Sequence, residues 1–150
     1  MGKKILVAGG TGMLGFPVVK ALLKSGHTVH ILTRDPGRAE KKFGGNLNFV
    51  EGDVRSVSSL RRIIRGFEGI HINLASNSFE ELEEIEIKGT ANLAKVASET
   101  GVKKITQISG AGVGNENAWS PVIRAKLDAE KAIKMSGIPY SIFNCTHFME

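Results

Sequence analysis

The residues best suited to chemistry stand in one row, Gly9-Gly10-Thr11-Gly12-Met13-Leu14-Gly15. They follow the short apolar run Lys4-Ile5-Leu6-Val7-Ala8 and open a segment in which Leu14, Val18 and Leu22 recur at helical spacing. At a strand-to-helix turn, glycines at 9, 12 and 15 allow a tight bend, a bare backbone facing a pyrophosphate, and close helix–strand contact. The amides and dipole at the helix start then hold phosphates without a buried lysine. A glycine triplet alone is weak evidence; the strand before it and the helix after it give it meaning. A glycine-rich turn with no ligand is the plainer alternative.

A second cluster, Thr33-Arg34-Asp35, closes the next apolar segment. An acidic residue there chelates the ribose hydroxyls of NAD, whereas an arginine favours the additional phosphate of NADP. Arg34 can stack on an adenine and fork onto a phosphate, with Arg38 nearby as a second cation. Asp35 supports the opposing NAD reading, because it lies roughly twenty residues beyond the loop. A solvated surface pair of Arg34 and Asp35, worth little energetically, is the third option. NADP is the preferred cofactor and NAD the alternative.

These groups need elements to position them, and the chain alternates accordingly. Strands are expected at Lys4–Ala8, His27–Thr33, Leu47–Glu51, Ile70–Leu74, Lys104–Ile108 and Tyr140–Phe143, with apolar helical spacing in the segments between them. Ser56 is a plausible N-cap, and Ser120-Pro121 places a hydroxyl at N-cap and a proline at N1. The longest helix is expected from about Phe79 to Thr100, its acidic start (Glu80, Glu81, Glu83, Glu84) opposing the positive end of the dipole. Glycines just past several helices suggest left-handed C-caps. Strand–helix–strand units with right-handed crossovers imply a doubly wound α/β domain: a parallel sheet of about six strands with helices on both faces. Ligands of such sheets sit at the carboxyl ends of the strands, so Leu74, Ala75 and Ser76 are expected to line the second half of the groove.

Composition narrows the classes. The chain has 150 residues, 41% hydrophobic and 23% charged, which fits one globular domain and excludes disorder. Cys145 is the sole cysteine, which rules out a disulfide scaffold and suits a reducing cytosol. No apolar run approaches the roughly 18–20 residues of a membrane span, and the start lacks a secretory h-region, so a cytoplasmic protein is expected. No metal is expected. The net charge of +5 is spread through the fold in pairs such as Lys3-Lys4 and Lys103-Lys104, without interleaved aromatics. Attraction of an anionic cofactor accounts for it better than nucleic acid does.

The glycine spacing, with Thr11 before the middle glycine, resembles the short-chain dehydrogenase/reductase superfamily, and most closely its atypical, NmrA-like NAD(P)-binding branch. The likeness extends through Thr33-Arg34-Asp35, Gly52-Asp53-Val54, Asn73-Leu74-Ala75, Gly89-Thr90-Ala91-Asn92-Leu93, Ile108-Ser109-Gly110, Lys126 and Ser136-Gly137-Ile138-Pro139-Tyr140. It implies a Rossmann fold in which Asp53 accepts from the adenine amino group beside the Val54 backbone. It also implies that Lys126 and Ser109 match the lysine and serine of the catalytic set, with Lys126 binding the nicotinamide ribose or acting as a general acid.

Three departures matter. Val122 stands four residues before Lys126, where the superfamily's proton-transferring tyrosine belongs; a valine moves no proton. Glu86 stands three residues before Gly89, where extended relatives often carry Asn. Relatives also continue past strand six into a substrate-binding portion, so residues 1–150 are expected to form a cofactor domain cut short of it, or a natural minimal one. Two functions follow: a reductase of a small organic substrate, or a redox sensor that binds NADP and signals through a protein partner. Tyr140 and His147 are further proton-transfer candidates. Relatives pair their long helices across a dimer axis, which adds a homodimer as an expectation beside the plainer reading of a surface crossover helix.

Overall fold

The computed structural model describes residues 2–146. Six strands form one sheet: β1 Lys4–Ala8, β2 Thr28–Thr33, β3 Asn48–Glu51, β4 Gly69–Ile72, β5 Lys104–Gly110 and β6 Tyr140–Cys145. All pairings are parallel, in the order β3-β2-β1-β4-β5-β6. The chain moves outward from β1 in one direction and then returns to continue from β4 in the other. The crevice between β1 and β4 is therefore a topological switch point, where such sheets bind ligands.

Helices α1 Gly15–Lys24, α2 Pro36–Phe43 and α3 Val57–Ile64 connect the first strands, and α6 Pro121–Met135 joins β5 to β6. The larger core unites Leu6, Ile70, Ile72 and Ile105 of the sheet with Leu60, Leu93 and Ile133 of the covering helices. A smaller one gathers Val7, Val29 and Ile31 against Val19 of α1. Strands buried on both faces read as continuous apolar runs, as Leu6-Val7-Ala8 does; Gly69–Ile72 is buried throughout as well, with His71 as its polar member.

Capping follows local chemistry. Ser56 accepts from the Ser59 amide as anticipated, and Asp35 does the same for Arg38 at the start of α2. Ser120 does not: its hydroxyl makes no cap bond, and Pro121 at N1 starts α6 by its fixed φ alone. Gly26, Gly66, Gly101 and Gly137 all take positive φ just past helices.

The long helix expected from Phe79 to Thr100 is interrupted. A single α-turn, α4 Phe79–Glu81, gives way to a π-helical segment, Leu82–Ile87, before α5 Lys88–Thr100 resumes. Periodicity could not reveal this, because a π-turn keeps the helix axis and only shifts the phase of the side chains. Strand ends also move: β4 stops at Ile72, short of Leu74, while β5 and β6 run on to Gly110 and Cys145. No described helix is long and apolar enough to cross a membrane.

Candidate functional site

Gly9 is where the phosphate loop becomes possible. Its φ is +82°, and a Cβ there would lie 2.0 Å from the Asn73 carbonyl oxygen, so β1 turns directly against the chain leaving β4. A Cβ on Gly15 would lie 2.0 Å from the Gly9 carbonyl, which lets α1 begin in contact with the loop. The Gly12 amide closes the turn onto the Gly9 carbonyl at 3.1 Å. Leu14, at the N-cap of α1, offers no side-chain cap, and the amides of Met13 and Leu14 find no acceptor among the described residues. Orphan amides at a helix start are the donors an anion requires. Gly10 does a different job: it is buried, and a Cβ there would press on Val7, Val19 and Ile31. The Met13 side chain is 80% exposed, so its part in the loop is played by the backbone.

From this loop a cavity of about 390 Å³ runs across the carboxyl ends of β1–β4. Gly9, Thr11, Arg34, Asp53, Val54, Leu74 and Ala75 line it, each anticipated from the sequence. Arg38 and Lys42 of α2 line it too, one helical turn apart and so on one face. None of their side-chain nitrogens, nor those of Arg34, lies within 4.0 Å of a carboxylate oxygen among the described residues, although Asp35 and Asp53 line the same cavity and the charge of Arg34 acts on Asp53. Sequence reading missed Lys42; the four-residue spacing 34, 38, 42 was the signal.

Two carboxylates here are already committed. Asp35 Oδ1 accepts from the Arg38 amide at 2.9 Å as the cap of α2. Asp53 is clasped by Arg55, whose Nε and Nη2 donate to it at 3.0 and 2.6 Å, and this guanidinium holds its carboxyl below the usual range. Arg55 was not foreseen, since nothing in the sequence says that it folds back two residues.

Ser76, Lys126 and Ser109 lie outside this cavity and belong to a second set of contacts. Ser76 donates through its amide and hydroxyl to Glu86 Oε1, at 3.0 and 2.8 Å. The other oxygen of Glu86 faces Lys126 Nζ at 3.7 Å. Lys126 is thus paired with Glu86 of the π segment, not with Glu130 one turn along its own helix. Glu130 instead accepts from the Ser109 hydroxyl at 2.6 Å, with both residues buried, and Lys134 approaches it at 3.4 Å. Spent in this way, the Ser109 proton is not available to a ligand, and the hydroxyl can only accept. Val122 is 39% exposed and carries no proton-transfer group. Tyr140 begins β6 at the opposite end of the strand from the site, and His147 falls outside the described residues.

Loop and groove fit a dinucleotide: orphan amides for its phosphates and exposed cations along the cavity wall. Comparison with known proteins agrees. The chain is 29% identical to the photosystem II assembly factor Ycf39 of Cyanophora paradoxa, over 97% of this chain and 46% of that one. It is 28% identical to the (4-alkanoyl-5-oxo-2,5-dihydrofuran-3-yl)methyl phosphate reductase of Streptomyces griseus, over 97% and 48%. It therefore spans about half the length of these relatives. The crystal structure of Citrobacter sp. triphenylmethane reductase complexed with NADP(H) superposes with a TM-score of 0.77 at 26% identity, covering 92% of this chain and 48% of that one. A model of NAD(P)H-binding domains matches residues 9–150. The Rossmann sheet, the glycine loop and that match make the chain a member of the NAD(P)H-binding family.

Proposed function

We propose that the chain is the NADP(H)-selective cofactor half of a reductase acting on a small organic substrate without a phenolic proton donor. The observation that carries the selectivity is the trio Arg34, Arg38 and Lys42, lining the adenosine end with no carboxylate partner. A phosphate on the ribose would meet forked and point-charge donors there. Asp35, the residue on which NAD preference would rest, is occupied as a helix cap.

When bound, the dinucleotide supplies hydride chemistry; the chain's own residues bind it and manage the proton. Lys126, 32% exposed at its side chain, keeps its three N–H groups free of hydrogen-bonded partners among the described residues. It holds the nicotinamide ribose in this reading, and it is the group at that end able to give a proton, since Ser109 has committed its own. The Streptomyces relative, named as a reductase, supports the catalytic reading.

Titration with NADPH and NADH tests the proposal. The unaltered protein should bind NADPH at least about tenfold more tightly, and Arg34→Ala should lose most of that ratio, a difference of about 1.4 kcal/mol. An unchanged ratio removes the phosphate role. Val122, and a relative named as an assembly factor, favour a second reading, a redox sensor acting through a protein partner. A partner captured only with one oxidation state of the cofactor would support that reading; equal capture with both would oppose it.

A further inference from the structure

Glu86 is a buried carboxylate placed by an unusual piece of backbone. It lies within the π segment Leu82–Ile87, packed under α6, and its side chain is 9% exposed. Burying an ionised carboxylate costs several kcal/mol unless hydrogen bonds and a counter-charge offset it. Here the Ser76 amide and hydroxyl supply two hydrogen bonds to Oε1, and the Lys126 ammonium supplies the charge opposite Oε2. One residue therefore ties together the chain leaving β4, the π segment and the helix that carries Lys126. The separation of 3.7 Å is longer than a hydrogen bond, so the ammonium is steered by charge while its N–H groups stay available. π-turns inside α-helices occur frequently at functional sites, and this one sets the phase that turns Glu86 inward between Ser76 and Lys126.

We propose that Glu86 is the positioning residue for Lys126 and thereby sets affinity for the nicotinamide half of the bound dinucleotide. The inference rests on the reading of Lys126 as the group that meets the nicotinamide ribose. Ser76 fixes one carboxylate oxygen, the other holds the ammonium over the site, and neither contact reaches the adenosine groove lined by Arg34, Arg38 and Lys42. A purely structural clasp would instead disturb both halves of the site together when it is broken.

The experiment measures dissociation constants by calorimetry for NADPH and for adenosine 2′,5′-bisphosphate, which lacks the nicotinamide. The proteins are the unaltered chain, Glu86→Gln, Glu86→Asp, Lys126→Met and the Glu86→Gln/Lys126→Met double variant. Glu86→Gln keeps the shape and the Ser76 contacts, and it should weaken NADPH about fivefold to tenfold, while adenosine 2′,5′-bisphosphate stays within about twofold. In the Lys126→Met background the same change should have no further effect, because a shared partner makes the two losses non-additive. Glu86→Asp keeps the charge and should recover most of the NADPH affinity, which also covers the case in which Glu86→Gln melts. Equal weakening of both ligands, or an undiminished effect of Glu86→Gln without Lys126, overturns the positioning role. An unaltered protein that binds neither ligand, or a Lys126→Met variant that binds NADPH as well as the unaltered one, overturns the underlying reading as well.

Discussion

The cavity beside the glycine loop and the buried contacts against α6 are built by opposite electrostatic strategies. Beside the glycine loop, the side chains of Arg34, Arg38 and Lys42 are exposed and form no ion pair within 4.0 Å among the described residues, so their charge is open to a ligand. Away from that cavity Glu86 and Glu130 are buried, each compensated by a hydroxyl from another part of the chain and by an ammonium on α6. Exposed charges cost the fold little and can be exchanged freely. Buried carboxylates are expensive to leave unpartnered, so each binds its surroundings into one unit. The first is thus a place where charge can change without loss of fold, and the second a place where losing one partner costs stability.

The largest effect expected comes from burial itself. His71 on β4 is 4% exposed, its Nδ1 sits 2.8 Å from Thr106 Oγ1, and desolvation pushes its pKa down from 6.5 to about 4. The fold therefore prefers the neutral ring, while the unfolded chain takes up a proton near the ordinary value. This contribution to stability is fully present above pH 6.5 and is lost progressively as the pH falls toward 4, to the extent of about 3 kcal/mol. Urea midpoints between pH 7 and pH 4.5 should fall accordingly, and His71→Gln should flatten the slope; a flat profile for the unaltered protein would break the contrast at its buried side.

A smaller effect separates the two regions more directly. Ser109→Ala removes the hydroxyl that Glu130 accepts from, and should cost about 2 kcal/mol in a denaturant titration. Affinity for adenosine 2′,5′-bisphosphate should not change. Parallel loss of both would show that the regions are coupled after all. The smallest effect is expected for Lys42→Ala. NADPH should bind about threefold to fivefold more weakly, with the difference shrinking as salt is raised, while the thermal midpoint stays put. A fall in stability as large as that of Ser109→Ala would mean that α2 leans on Lys42 structurally.

How much of this was legible in the sequence differs between the regions in the same way. The strands themselves, the glycine loop and the exposed arginines follow from local rules: apolar runs, turn glycines, cations after the second strand. Gly9 and Arg34 are informative one residue at a time. The buried region is not, because Glu86 meets Lys126 across 40 positions of sequence and Glu130 meets Ser109 across 21. Glu86 stood out only as an unusual residue ahead of Gly89. Lys126 and Glu130 lie one helical turn apart on α6, yet packing of the π segment against α6 gives the lysine a different partner. Tertiary competition for a charge has no period to detect.

The π-turn carries one more consequence. A helix of this kind differs from an ordinary one by a single inserted residue, so its geometry is written in the count of residues between Leu82 and Ile87 as much as in their identity. Deleting one of them would let the segment relax into regular α-winding and remove the wide turn that carries Glu86, while the flanking helices kept nearly the same phase. The spatial address of the carboxylate is therefore protected against most exchanges of side chain and defenceless against a frame-preserving loss of one codon.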